Sequence, residues 1–478
     1  MIPGSFTFGC LVSAEQGDLI DMNLQERQNY RPQVHFTPLS MWINDPNGMV
    51  YADGMYHLFY QHNTKEARWG NIHWGHGISA DLLHWQHLPV ALCPDELGLI
   101  FSGSCVFDTL NTSGFGTADR PPMVAVYTNH DPETGKEVQS IAYSTDYLNF
   151  IKYTNNPVLE NSNSKDFRDP KVFWNPIRNA WSLVLAAGDR VNFYTSRNLK
   201  EWEQTGEFIT GENGLKGICE CPDCFPVQTG EGTKWVLIIS MIIGDDTKGN
   251  AGHKTQYFVG EFDGNRFTDT EKAEEPLWLN YGTDYYAAVT FQNAEDNILL
   301  GWADNWAYAN ETPTGSYRGQ MSLAAKVDLK KTSAGYRIAL SPMGLEKLKG
   351  DSRSLRKESR LEGESFGLTV TGKGNGKISI HNDLGEKLTI EVTPDEIIID
   401  RTNADKKDFS EKYTMFNKIS AKRYQKGDYR LEMVFDVSLL ELFAEEGLIP
   451  AAVSVYPAEP YNHLLLEGDM EAAIYPVK

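Results

Sequence analysis

One arrangement is written five times along the chain: a polar or acidic start, a β-rich run, a turn, and a second β-rich run. It reads NDPNGMVYADGMYHLFYQH from Asn44, and FSGSCVFD from Phe101 with its partner PMVAVYT from Pro122. It returns as FRDPKVFWNPIRNAWSLVLA from Phe167, ECPDCFPVQTGEGTKWVLIIS from Glu220 and DYYAAVTFQNAEDNILLGWA from Asp284. Turn residues fall where hairpins need them, at Ala52-Asp53-Gly54, Asn175-Pro176 and Gly230-Glu231-Gly232. Three copies are followed by a further strand–turn–aromatic element, SADLLHW (79–85), STDYLNF (144–150) and SRNLKEW (196–202). Several strands repeated at this spacing are the mark of propeller blades, and five copies predict five blades. After SPMGLEKLKG (341–350), alternating short strands such as KISIHN and KLTIEV predict an antiparallel sandwich. The expected fold is therefore all-β. It has an N-terminal extension over 1–30, a five-bladed β-propeller over 31–340 and a C-terminal β-sandwich over 341–478. The Gly372-Lys-Gly-Asn-Gly376 run reads as a hairpin turn, since it lacks the strand–loop–helix setting of a phosphate loop.

In a propeller the first strand of each blade lines the central channel, so equivalent starts converge at one mouth. Those starts carry Asp45, Ser102, Asp169, Glu220 and Asp284, four of them carboxylates, with Asn44, Arg168 and Gln61 beside them. Acids that merely cap strands or pair with arginine would explain one such position but not four. Carboxylates crowded into one pocket cannot all ionise freely, so one becomes a proton donor while another stays anionic. That division of labour is the chemistry of glycosidic cleavage. Cys219, Cys221 and Cys224 sit around Glu220; no second cysteine pair completes a zinc site, which leaves a metal reading only if one of His57, His62, His73, His76, His84 or His87 supplies the fourth ligand. Pro222 and Pro226 argue against the helix that a redox Cys-x-x-Cys requires. The cysteines read as small apolar residues on a blade strand, with Glu220 as the chemically important member.

The formal net charge of −21 argues against a nucleic-acid partner and against docking on an acidic membrane. No apolar run is long enough to cross a bilayer. The opening MIPGSFTFGCLVSAEQGD has no basic flank and is a poor signal peptide. Six cysteines make no disulfide framework. A cytoplasmic protein is the expectation, with secretion the alternative if the natural N-terminus extends further; nothing selects between monomer and homodimer.

At these same residues the chain resembles glycoside hydrolase family 32, the β-fructosidases. WINDPNG (42–48), FRDP (167–170) and ECPD (220–223) are similar to the three family signatures. FYQHN (59–63), WGNIHWGH (69–76), FSGS (101–104), DYYAA (284–288) and VFDVSLLELFAEEG (434–447) add to the likeness. The resemblance implies a retaining hydrolase of terminal β-fructosyl linkages in sucrose, fructo-oligosaccharides, inulin or levan, with no cofactor and no metal. It further implies Asp45 as nucleophile, Glu220 as acid/base and Asp169 as transition-state stabiliser. Asn44, Gln61, Trp69, Phe101, Ser102, Arg168, Asp284 and Trp306 are implied as substrate-binding walls. GWADNWAYANETPTGSYRGQMSL (301–323) looks more like exo-inulinases and levanases than sucrose-6-phosphate hydrolases. A fructosyltransferase or a sucrose-6-phosphate hydrolase on the same fold, and a non-catalytic fructan-binding propeller, are the competing expectations.

Overall fold

The computed structural model describes residues 30–161, 164–213, 216–243, 253–405 and 407–477, so the expected N-terminal extension lies outside it except for Tyr30. Five antiparallel four-stranded blades occupy 41–92, 99–152, 167–209, 218–269 and 286–342. The ring closes where Tyr317–Arg318 pairs in parallel with Met41 and Trp42 at the start of the first blade. Hairpin turns form where Asp53 and Gly54 adopt φ of 48° and 80°, the left-handed pair a tight two-residue turn requires. The strand–turn–aromatic elements join third to fourth strands. In two of them Ser79 Oγ and Ser196 Oγ accept backbone N–H bonds from Leu82 and Leu199. Leu82, Tyr147 and Leu199 take the same positive φ in their three blades.

All five inner strands share one irregularity that the sequence pattern alone does not show. In Met41–Ala52, Leu99–Phe107, Phe167–Asn175, Ile218–Thr229 and Tyr286–Thr290, the inner strand advances three residues while its neighbour advances two. Each is a β-bulge, which bends the strand and re-aims its side chains. Proline lacks the N–H that a continuous ladder needs, and Pro46, Pro170 and Pro222 fall at or just after these bulges. Asp169, Cys221 and Ala287 occupy the same bulge position with φ of 65°, 43° and 54°. Such conformations cost on the order of 1–3 kcal/mol each and persist only where the surroundings enforce them. Each bulge leaves two residues out of the ladder, and in the first two blades both of them, Asn44 with Asp45 and Phe101 with Ser102, line the cavity at the channel mouth.

Beyond Pro342 and the short helix Glu346–Lys349, the chain forms the sandwich, built on the long strands Ser365–His381 and His463–Pro476. Its apolar core includes Leu368, Val370, Ile378, Ile390, Leu431 and Leu464. The 372–376 glycines do not make the expected hairpin turn. They form a bulge inside the 17-residue strand Ser365–His381, because that strand switches neighbours there. Gly372 and Gly376 leave room for the Tyr429 hydroxyl, which an added Cβ would meet at 2.3 and 2.0 Å.

Propeller and sandwich share an apolar cluster that brings Leu323 and Leu340 together with Val434, Phe443 and Ala452. Two buried polar clasps cross the same seam. His35 bridges Asp436 and Glu441 at 2.8 and 2.9 Å. Arg401 binds Asp284 at 3.2 Å and donates to the Ser454 carbonyl at 2.7 Å.

Candidate active site

A cavity of about 520 Å³ opens at the bulged end of the channel, and ten of the eleven expected site residues line it. The exception is Asp284. It is fully buried at the seam with the sandwich, where it accepts bonds from Thr283 Oγ1 (2.6 Å), Ser454 N (2.9 Å) and Arg401 Nη1 (3.2 Å). The physical reason is register. Arg168, Glu220 and Tyr286 are each the last paired residue before their bulge, so Asp284 lies two residues upstream of the position that faces the channel. Shared position explains why those three meet: the Tyr286 hydroxyl donates to Glu220 Oε2 at 2.7 Å, and Arg168 Nη2 and Nε donate to Glu220 Oε1 at 3.0 and 3.2 Å.

Asp45 takes the second bulge position, which Ser102 occupies in the next blade. Ser102 Oγ donates to Asp45 Oδ2 at 2.6 Å, and Asn44 Nδ2 to Oδ1 at 3.0 Å. Asn44 is itself oriented by the Trp42 indole N–H at 2.7 Å. Asp169 Oδ2 accepts the Cys221 N–H at 2.9 Å, while the Asp169 N–H donates to Thr128 Oγ1 at 3.0 Å. The Cys221 sulfur lies 3.4 Å from Asp45 Oδ2 and 3.5 Å from Asp169 Oδ2. Burial holds that thiol well above its ordinary pKa, so it stays protonated and its one S–H can donate to either acid. Cys221 is therefore part of the site rather than the inert strand residue expected. Cys219 and Cys224 do pack in an apolar cluster with Phe173, Leu237 and Phe258.

The acids feel different surroundings. Burial pushes Asp169 up to about 8, with the Glu220 and Asp45 charges adding to it and the Arg168 charge opposing it. Burial also raises Glu220, and the Asp45 charge reinforces that; Arg168 and the Tyr286 hydroxyl pull the other way by stabilising the anion. Glu220 is thus drawn toward its protonated form while donors for the deprotonated form stand ready. Arg168, surrounded by Glu220, Asp169 and Glu137, stays charged despite its burial.

The walls suit a sugar. Gln61 spends its amide N–H groups on Asn47 Oδ1 (3.1 Å) and the Ile100 carbonyl (3.0 Å), which fixes its orientation. Trp306 packs against Trp42 and Trp302. Trp69, 45% exposed, stands edge-on to Phe101, and Phe101 stacks face to face on His130 at 4.3 Å. Flat apolar rims over buried polar floors are how proteins hold polyols. Sequence reasoning missed Tyr286, His130, Glu137 and Asp166. Tyr286 was legible in principle, since DYYAA shares the inner-strand pattern of the other blades; Glu137 and Asp166 look like ordinary charges in polar turns.

Three carboxylates of contrasting environment, gathered in one sugar-sized cavity at the mouth of a five-bladed ring, define a propeller glycoside hydrolase. The chain belongs to the glycosyl hydrolases family 32, whose N-terminal domain matches residues 35–342 and whose C-terminal domain matches residues 305–472. It is 39% identical over 464 residues to a levanase of Bacillus subtilis, covering 91% of this chain and 68% of that protein. It is 32% identical over 511 residues to an extracellular exo-inulinase of Aspergillus awamori, covering 94% of this chain and 95% of that protein. The crystal structure of an exo-inulinase from Aspergillus awamori superposes with a TM-score of 0.87 at 32% identity, over 95% of this chain and 99% of that one. A β-fructofuranosidase from Schwanniomyces occidentalis, complexed with fructosyl-erythritol, superposes with a TM-score of 0.84 at 28% identity, over 94% and 98% of the two chains.

Proposed function

We propose that this chain is a retaining exo-β-fructosidase that releases fructose from the β-linked termini of sucrose, fructo-oligosaccharides, inulin and levan. The observation that carries the reading is the contrast between two carboxylates in one cavity. Among the described residues Asp45 is held by neutral donors, from Ser102, Asn44 and Cys221. Glu220 is largely desolvated, its side chain 17% exposed, and driven toward its acid form. Asp45 is then the nucleophile at fructose C2, and Glu220 gives its proton to the departing glycosidic oxygen. Positive charge develops at C2 during cleavage, so a nearby anion is most favourable in the transition state. Once Glu220 has lost its proton, Arg168 and Tyr286 stabilise the carboxylate until it takes a proton from the water that hydrolyses the fructosyl–Asp45 ester. Asp169, desolvated and clamped by the Cys221 N–H, is assigned to the fructose hydroxyls, where its grip tightens as the ring flattens.

The test is product analysis over time on sucrose, 1-kestose, inulin and levan. Fructose as the sole small product of the polymers from the first minutes supports exo action. Early oligosaccharides from inulin or levan, or chain growth in concentrated sucrose, contradict it.

A further inference from the structure

Glu137 lies outside the set that propeller topology delivers to the site. It opens Glu137–Ser144, the third strand of the second blade, one strand removed from the neighbour of the channel-lining strand. It nonetheless lines the cavity and is only 4% exposed. Its carboxylate is a hub with three arms. Oε2 accepts the Phe167 N–H at 2.6 Å, both oxygens lie 3.3 Å from Arg168 Nη1, and Oε1 lies 3.2 Å from His130 Nδ1. The far side of the same guanidinium holds Glu220 Oε1. His130 in turn lies flat on Phe101 beside the Trp69 rim.

We infer that Glu137 is a positioning residue for the acid/base: it fixes and partly neutralises Arg168, so that Glu220 keeps its proton until the leaving group, seated against His130 and Phe101, is ready to accept it. This rests on the reading of Glu220 as the acid. The reason is electrostatic. A bare guanidinium bonded to Glu220 stabilises the anion and would strip it of its proton; a second buried carboxylate on the other edge of that guanidinium offsets the effect.

The charges around this unit set the expected direction. Facing Glu220 are Arg168 and Asp169 from the third blade, Asp45 from the first, Tyr286 from the fifth, and Cys221 on its own strand. His253 packs edge-on against Tyr286, and burial lowers it to about 4, so it contributes no charge at neutral pH. Facing Glu137 are His130 and Arg168; Asp166 binds the same Arg168 Nη1 at 2.9 Å, and Lys136 is committed to Glu160 at 3.0 Å. Removing the Glu137 charge leaves Arg168 under-compensated, so Glu220 ionises at lower pH.

The experiment compares Glu137→Gln, Glu137→Asp and Glu220→Gln with the wild-type chain on sucrose and on nitrophenyl β-fructofuranoside, whose leaving group needs no proton. Thermal melting serves as the fold control. For Glu137→Gln the expectation is a loss of about tenfold in kcat/KM on sucrose, at most about threefold on the aryl substrate, and an alkaline limb moved to lower pH by about half a unit. Glu137→Asp, which keeps the charge but shortens the reach, should lose rate on sucrose while its alkaline limb stays at the wild-type position. Equal losses of Glu137→Gln on both substrates, or an unmoved alkaline limb, would overturn the inference and leave Glu137 a structural anchor of Phe167. Glu220→Gln separates the two levels: if it too fails to discriminate between the substrates, the assignment of Glu220 as the acid falls, and the role of Glu137 with it.

Discussion

Replacing Tyr286 by phenylalanine removes one oxygen and leaves the ring in its buried place. The lost interaction is the 2.7 Å bond from the hydroxyl to Glu220 Oε2. Hydrogen bonds to charged groups contribute about 1.5–3 kcal/mol, and one pKa unit corresponds to about 1.4 kcal/mol. Partial replacement by water trims that effect, so Glu220 should rise by about one unit. The sign is fixed by which form the bond favours. An O–H donor stabilises the carboxylate, its loss favours the acid, and the acid is the form required in the free enzyme for the first step. The alkaline limb of kcat/KM on sucrose should therefore move to higher pH by about one unit. At the pH optimum kcat should fall about tenfold, because the anion left after proton delivery has lost a partner. Burial also raises Asp169, to about 8. The Tyr286 hydroxyl bonds Glu220 and not Asp169, so its loss acts directly on Glu220 and reaches Asp169 only through the Glu220 charge. An alkaline limb that stays put or moves to lower pH would refute this account of how the acid is tuned.

Other perturbations test neighbouring links. Asp45→Asn and Glu220→Gln should each lower kcat on sucrose by at least about 10³, measured by fructose release; near-wild-type turnover in either would contradict its role. Asp169→Asn should flatten stability against pH. A carboxyl raised from 3.8 to about 8 keeps a proton that the unfolded chain has lost, so the wild-type protein loses stability as pH climbs through that window. The slope is at most about 1.4 kcal/mol per pH unit, and thermal melts at pH 5 and pH 8 should show the variant closing or reversing the gap. Asp284→Ala leaves the buried Arg401 without its carboxylate and should cost about 3–5 kcal/mol in denaturant unfolding, with KM for sucrose unchanged in the folded fraction. A selective rise in KM would return Asp284 to the substrate site.

Blades and turns were legible because each module repeats the same local chemistry: β-rich runs, left-handed turn residues, and Ser-led third-to-fourth strand corners. Asp45, Asp169 and Glu220 were legible because a proline follows within two residues of each and breaks the ladder where a side chain must turn toward the channel. Asp284 misled for the opposite reason. Its blade has no proline at the bulge, and without that marker a two-residue offset is invisible in an alternating pattern. The 372–376 glycines misled because a bulge and a turn use the same residues, and only the partner strand, far away in sequence, distinguishes them. Glu137 closes the polar turn HDPETGKE, where a charge normally faces water. Its burial follows from Arg168 reaching across from the next blade, a long-range contact with no local signature.

Trapping the covalent intermediate addresses the division of labour between Asp45 and Glu220 most directly. Glu220→Gln, whose ester hydrolysis lacks its base, would be incubated with nitrophenyl β-fructofuranoside, quenched in acid, digested and sequenced by mass spectrometry. The expected result is one fructosyl unit on the peptide carrying Asp45, located at Asp45. A label on another residue, or initial hydrolysis by the unaltered protein giving the inverted anomer, would contradict the account.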